Sequence, residues 1–281
     1  MSKKWNLIAD VERCDNCRNC FLATKDEHIG NDFPGYAAPQ PEQVHSWVDI
    51  VRKERGHWPI VEARFMPVMC NHCDDAPCMK AAKNGAITKR ADGIVIIDPE
   101  KSKGQKAIVD ACPYGAVFWN EERQIPQAWI FDAHLLDQGW TKPRVQQSCP
   151  TDVFRAVKVD DEEMRAIKER EGLAVLRPEL NTKPRVYYKN LHLMTACFVS
   201  GSVVTAVNGV DECAEGVDAV LIRNGSEVAR TKTDVFGEFK IDRLEPRSGR
   251  YELKLNHGTA HSVSRQVDIG EESLYLGVLK L

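Results

Sequence analysis

The stretch CDNCRNCFLATKDEH, residues 14–28, decides how the first half of this chain is read. A bacterial ferredoxin loop runs Cys-x2-Cys-x2-Cys-x3-Cys-Pro, and its fourth cysteine ligates the other cluster of a two-cluster pair. Cys14, Cys17 and Cys20 fit that spacing, but Thr24 stands where the fourth cysteine would be. A cube with four iron corners needs four thiolates, so three close cysteines imply a fourth from elsewhere.

The remaining cysteines supply it. A second triplet, Cys70, Cys73 and Cys78, lies in CNHCDDAPC. Two single cysteines are each followed by proline: Cys112 in ACPYGAV and Cys149 in SCPTDV. Cys-Pro marks the fourth ligand of the ferredoxin loop, so two triplets and two lone Cys-Pro pairs make two complete sets. Other readings of the same residues stay open. Four thiolates also make a tetrahedral zinc site, although such sites usually pair two Cys-x2-Cys halves. Disulfides need an oxidising compartment, and no local signature marks any of these thiols as a nucleophile. His28, His72 and His134 lie near the cysteine segments, as ligands, proton relays or simply packed or exposed histidines. No Gly-x-Gly-x-x-Gly, P-loop or His-Glu-x-x-His occurs, so nothing points to nucleotide binding or zinc-hydrolase chemistry.

Composition narrows the setting. The chain has 281 residues, 43% apolar and 28% charged, with a net charge of −3. That is an ordinary globular composition, and it predicts neither a nucleic-acid partner nor a membrane surface. The start MSKKWNLIADVERC lacks the run of about 7–15 apolar residues of a secretory signal, and no run of about 18 apolar residues offers a membrane span. The expected location is cytoplasmic, a reducing compartment where clustered cysteines mean metal or redox chemistry. Of the ten cysteines, only Cys197 and Cys213 fall beyond Cys149, and both are read as small apolar residues.

The pattern changes near residue 180. Before it, short strand-like pieces such as NLIAD and GIVIID punctuate an irregular, cysteine-rich sequence. DDEEMRAIKEREG predicts a helix, with Asp160 or Asp161 as its cap, acidic residues in its first turn and Gly172 at its left-handed end. RPELNTKPRVYYKN, residues 177–190, reads as an extended linker, because Pro178 and Pro184 cannot continue a helix. From about residue 196 the pattern is all-β. Asn224-Gly225 separates two β-rich runs, the strongest short hairpin signal, and the sequon it forms with Ser226 is read simply as a turn. GEFKID and YELKL alternate apolar and polar residues, and LYLGVL closes the chain. Several short strands with turns between them predict a small β-sandwich. The expected architecture is α+β: a ferredoxin-like iron–sulfur domain over 1–180, a linker over 181–195 and a β-sandwich over 196–281.

CPYGAVFWNEE, GLAVLRPELNTKPRVYYKNL, DGIVIIDPEK, AHLLD and TDVFGEFKID together resemble the iron–sulfur subunits of the DMSO-reductase superfamily. Within it they resemble the small (β) subunits of the branch that hydroxylates or transhydroxylates pyrogallol, phloroglucinol or resorcinol. The resemblance runs nearly end to end, and the sandwich is similar to the transthyretin or carboxypeptidase-regulatory class. It implies crossed pairing of the cysteine loops. Cys14, Cys17 and Cys20 would share a 4Fe–4S cluster with Cys149, and Cys70, Cys73 and Cys78 would share a second with Cys112. It also explains Thr24: the cluster that a cysteine there would serve has lost its other ligands too. Trp129, Asp132 and Val145 stand where that branch carries cysteines. Likewise AAKNGAI after Cys78 offers no fourth cysteine, and the segment before Cys112 offers no triplet. Two clusters are therefore expected where the close relatives hold three.

The resemblance further implies a partner, a large catalytic subunit carrying bis-molybdopterin guanine dinucleotide with molybdenum or tungsten. With it this chain would form a heterodimer or a multiple of one, with room for an external electron acceptor. No catalytic residue is expected here. The expected role is electron transfer; the alternative is an assembly subunit whose clusters only staple the fold. The long segment between the triplets, with Trp47, Trp58 and Phe65, is expected either to touch the large subunit or to cover the chain's own core.

Overall fold

The computed structural model describes residues 2–258 and 261–281. Met1, Thr259 and Ala260, which fall inside the expected domains, lie outside the described residues. The chain divides into two units, Met1–Arg52 with Phe65–Leu191 and Lys53–Arg64 with His192–Leu281. Residues 53–64, expected with the iron–sulfur domain, thus belong to the C-terminal unit.

The first unit is built on β1 (Lys4–Asp10), the predicted NLIAD strand, whose Leu7, Ile8 and Ala9 are buried. A short 3-10 turn follows, then α1 (Asn19–His28) and the base of the hairpin of β2 (Val48–His57) and β3 (Ile60–Met69), whose outer part, residues 53–64, is counted with the second unit. Next come α2 (Pro77–Ala81), the hairpin β4 (Ile87–Lys89) with β5 (Val95–Ile97), and α3 (Ala107–Asp110). The hairpin β6 (Phe118–Asn120) with β7 (Ile125–Gln127) leads to α4 (Ala133–Asp137) and α5 (Arg144–Gln147). The unit closes with β8 (Phe154–Val159), α6 (Asp161–Glu171) and β9 (Val186–Lys189).

β1 pairs antiparallel with β8 and parallel with β9. The stretch 181–195, expected as a linker, is therefore partly a strand. Val186 and Tyr188 are wholly buried against β1. The prolines bar a helix, as read, but an extended chain with alternating apolar residues satisfies its backbone groups by joining a sheet.

α6 forms as its sequence dictates. Asp160 accepts hydrogen bonds from the N–H groups of Glu162 and Glu163. Gly172 ends the helix at φ +61°, and the Leu173 N–H returns to the Lys168 carbonyl at 2.9 Å. Met164 and Ile167 pack on Ile8, Val157, Val159 and Tyr187 of the sheet. Burial of each contributes about 2 kcal/mol.

The second unit begins with α7 (His192–Thr195) and carries β10 (Cys197–Val207), β11 (Val210–Cys213), β12 (Asp218–Arg223) and β13 (Ser226–Lys232). β14 (Glu238–Leu244), β15 (Gly249–His257), β16 (His261–Ile269) and β17 (Leu274–Lys280) complete it. One sheet is ordered β11-β10-β14 with β17 also on β10; the other is β13-β12-β15-β16. The alternating residues Phe239, Ile241, Tyr251, Leu253 and Leu255 meet Val199, Val203, Leu221 and Val267 in one core shared by both sheets. Asn224 and Gly225 turn the β12–β13 hairpin with both φ values positive, +53° and +79°. Gly237 is demanded by its surroundings: at φ +72°, a Cβ would sit 2.3 Å from the Val203 carbonyl oxygen. Cys197 is buried in the core, as read. Cys213 is exposed on β11, so the small-apolar reading fails there because its edge strand faces solvent.

Candidate metal centres

The two cysteine loops repeat one local geometry. In the first, Asn16 and Arg18 take left-handed backbone at φ +64° and +61°, and in the second His72 does so at φ +45°. These reversals curl the chain around its own thiols. The Asn16 N–H then turns towards the Cys14 sulfur, and the His72 N–H towards the Cys70 sulfur, where each lowers the thiol against its burial. Asp15 fixes the first loop by accepting from the Cys17 N–H at 3.3 Å.

The single cysteines arrive on neighbouring helices. Cys20 lies on α1, which packs against α5, the helix just before Cys149. Cys78 lies on α2, which packs against α3, the helix just before Cys112. The thiols consequently fall into two neighbourhoods. Burial raises the Cys14 thiol, and Cys149, Asp15 and Cys17 add to it. Burial pushes Cys20 up to about 12, with Cys14, Cys149 and Cys17 contributing. In the second neighbourhood burial raises Cys70 well above its usual range, helped by Cys78, Cys112 and Cys73. Burial likewise lifts Cys78 to about 12, with Cys112 and Cys73 contributing. Cys73 is raised by burial and by Cys112, against a hydrogen bond from the Thr182 hydroxyl.

Bare, these thiols hold their protons; a cationic metal core would reverse that, since coordinated thiols are deprotonated outright. The donor set fits an iron–sulfur cube: all-thiolate, four to a neighbourhood, with backbone N–H groups aimed at sulfur. The Val153 N–H donates to Cys149 Sγ at 3.4 Å. All ten cysteines are free of disulfides. Among the described residues no three His, Cys, Asp or Glu side chains close on the position of a single ion.

Thr182 and Tyr114 went unnoticed in the sequence. Tyr114 Oη lies 2.6 Å from Thr182 Oγ1, and the Thr182 hydroxyl lowers the Cys73 thiol against its burial. Thr182 sits in the stretch read as a linker, and no local signal marks it. Lys89 supports the same loop, donating to the carbonyls of His72 and Cys73 at 2.6 and 3.1 Å and pairing with Asp74 at 2.8 Å.

The three histidines are packed residues. His72 is wholly enclosed, its Nδ1 accepts from the Val95 N–H at 3.1 Å, and burial with Lys89 and Arg185 nearby drops it to about 3. His134 pairs with Glu27 at 2.8 Å. His28 is buried among Trp47, Phe33 and His134, with its Nε2 3.9 Å from Asp132. Thr24, Trp129, Asp132 and Val145 are all buried too. The Thr24 hydroxyl donates back to the Cys20 carbonyl at 2.9 Å, Asp132 accepts from the Arg144 N–H at 2.7 Å, and Trp129 stacks on Phe131 at 4.9 Å. Side-chain packing, not thiols, occupies these positions.

Residues 61–159 match the family described as the 4Fe-4S dicluster domain, a span holding every candidate ligand except Cys14, Cys17 and Cys20. The chain is 42% identical over 282 residues to the pyrogallol hydroxytransferase small subunit of Pelobacter acidigallici, covering 99% of this chain and 100% of that protein. It is 30% identical over 192 residues to one subunit of the tetrathionate reductase of Salmonella typhimurium, covering 67% of this chain and 73% of that one. Over 193 residues it is 29% identical to one chain of the anaerobic dimethyl sulfoxide reductase of Escherichia coli, covering 67% and 90%.

Proposed function

This protein belongs to the iron–sulfur subunits of the dimethyl sulfoxide reductase family, and from that membership we propose that it is the electron-transferring small subunit of a molybdopterin enzyme acting on polyhydroxylated aromatics. The full-length likeness to the pyrogallol hydroxytransferase small subunit carries this reading. Cys14, Cys17, Cys20 and Cys149 would hold one 4Fe–4S cluster, and Cys70, Cys73, Cys78 and Cys112 a second. Such clusters accept and release single electrons. The chain's own part is to bind and tune them. Eight thiolates would hold the two cubes, and the N–H groups of Asn16, His72 and Val153 would stabilise charge on sulfur. The packed positions of Thr24, Trp129, Asp132 and Val145 support two clusters rather than three.

The active site, with its bis-molybdopterin guanine dinucleotide and molybdenum or tungsten, would lie on the large subunit. The proposed setting is the cytoplasm, which suits ten unbridged thiols. Among the described residues no helix is long and apolar enough to cross a membrane. In this reading the C-terminal unit is a β-sandwich of the transthyretin or carboxypeptidase-regulatory class.

Anaerobic purification with the large subunit, followed by elemental counting, tests the proposal. About eight irons and eight sulfides per copy of this chain are expected, with any large-subunit cluster subtracted. About twelve irons would mean a third cluster on non-cysteine ligands, and zinc without sulfide would end the electron-transfer reading. Clusters that dithionite cannot reduce would favour a purely structural role.

Of the aromatics singled out between the triplets, Phe65 is half-buried and the two tryptophans fall on opposite sides. Trp47 is 1% exposed and belongs to the core, whereas Trp58, at the tip of the β2–β3 hairpin, is 87% exposed. Trp58 is the proposed contact with the large subunit. Trp58→Ala should weaken subunit affinity about 30-fold, the loss of an aromatic anchor worth about 2 kcal/mol. Unchanged affinity in a subunit titration would leave Trp58 without that role.

A further inference from the structure

A cleft of about 450 Å³ opens between α6 and residues 175–187. Buried Thr182 and exposed Lys183 form part of its lining, and their carbonyls accept from the N–H groups of Asp75 and Asp74, the two residues after Cys73, at 3.0 and 2.9 Å. The cleft wall therefore pairs directly with the loop that carries Cys73 of the Cys70/Cys73/Cys78/Cys112 set. Electron tunnelling weakens steeply with distance, so a ligand loop that itself borders a cleft gives a short path for charge between the set and a molecule held there.

The lining is cationic. Arg165, Lys168, Arg177, Lys183 and Arg185 line the cleft against two carboxylates, Asp74 and Asp161. Both carboxylates are already engaged: Asp74 by Arg185 and Lys89, Asp161 by Arg185 and Lys4. Arg165, Lys168 and Lys183 form no ion pair with any described residue, and all three are exposed. A concave site of this volume suits a small molecule. A cleft lined by one sign of charge concentrates ligands of the other and raises their on-rates by roughly 10–10³.

We propose that this cleft is the electron-exchange port of the Cys70/Cys73/Cys78/Cys112 set, and that it selects a small anionic one-electron carrier. The proposal rests on the reading of that set as an iron–sulfur centre. In the step itself one electron leaves the reduced cluster and enters the carrier. The cluster is oxidised by one unit, the carrier gains one negative charge, and no bond or proton moves.

The test uses the complete complex, reduced with dithionite, freed of excess reductant and mixed rapidly with ferricyanide, an anion, or hexaammineruthenium(III), a cation. Arg165→Glu with Lys168→Glu, on the exposed face of α6, should slow oxidation by ferricyanide about tenfold, within the range set by electrostatic steering. It should also flatten the dependence on salt, and oxidation by hexaammineruthenium should not slow. Lys183→Glu, on a different segment of the cleft, should act in the same direction. An unchanged ferricyanide rate in variants of full iron content would overturn the port. So would loss of the large subunit from the variants, because the cleft would then be its docking surface. The absence of any reducible iron–sulfur signal in the natural complex would be a separate failure, that of the cluster reading itself.

Discussion

A chain carrying Cys20→Ser and Cys149→Ser together should bind about half the iron and sulfide of the natural chain, whereas Cys20→Ser with Cys112→Ser should bind almost none. The reasoning is geometric. Cys20 and Cys149 are brought together by α1 and α5, and Cys78 and Cys112 by α2 and α3. Two ligands lost from one set destroy that set and spare the other. One lost from each set damages both. Cys78→Ser with Cys112→Ser should repeat the half-loss and leave the opposite cluster's electron-paramagnetic signal. Cys197→Ser and Cys213→Ser should leave the metal content unchanged, since both thiols lie outside the two neighbourhoods. If the matched pair and the mismatched pair lost equal amounts of iron, the crossed pairing would be wrong.

Arg55→Met should lower the stability of the C-terminal unit by about 3 kcal/mol, the lower end of the cost of breaking a buried ion pair. The Arg55 side chain is 1% exposed. It donates to Asp242 at 2.9 and 3.0 Å, to Glu62 at 2.8 Å and to the Ala196 carbonyl at 3.2 Å. It also lies over the Phe198 ring, 5.3 Å from the centroid. Methionine keeps the length and apolar stem but strands two carboxylates. Lys240 still reaches both, which holds the loss to the lower end.

The effect should depend on pH. Burial raises Asp242, but the bond to Arg55, the Arg243 N–H and the nearby charges outweigh it and bring the carboxyl to about 2. An unfolded aspartate titrates near about 4. A folded value below the unfolded one means that the stabilisation is present above about pH 4 and fades as pH falls towards 2. Glu62 is depressed in the same direction, with burial opposing Lys240 and Arg55. The gap between natural chain and variant should therefore be full at pH 7 and shrink below about pH 4. The calorimetric transition of the β-rich unit reads it. A gap under about 1 kcal/mol at pH 7 would show that these carboxylates interact no more strongly than a surface pair.

The sequence by itself determined the candidate ligand set and most local structure. Two triplets and two Cys-Pro pairs follow from spacing, because a cluster loop is a short-range object. The caps of α6 and the Asn224-Gly225 turn were legible for the same reason: one residue's backbone preference decides each. What only tertiary structure decided lies at long range. The meeting of Cys20 with Cys149 depends on α1 packing against α5. The apparent linker is a strand because Val186–Lys189 finds β1 some 180 positions away in the sequence, and parallel pairing leaves no local turn signal. Trp47 and Trp58 belong to the same segment, yet one is core and the other exposed, since burial depends on which surfaces the fold brings against each. The Thr182 carbonyl meets the Asp75 N–H, beside Cys73, across more than a hundred positions of sequence. Residue spacing marks the candidate cysteines, while the sum of distant packing contacts decides which of them become neighbours and how exposed each is.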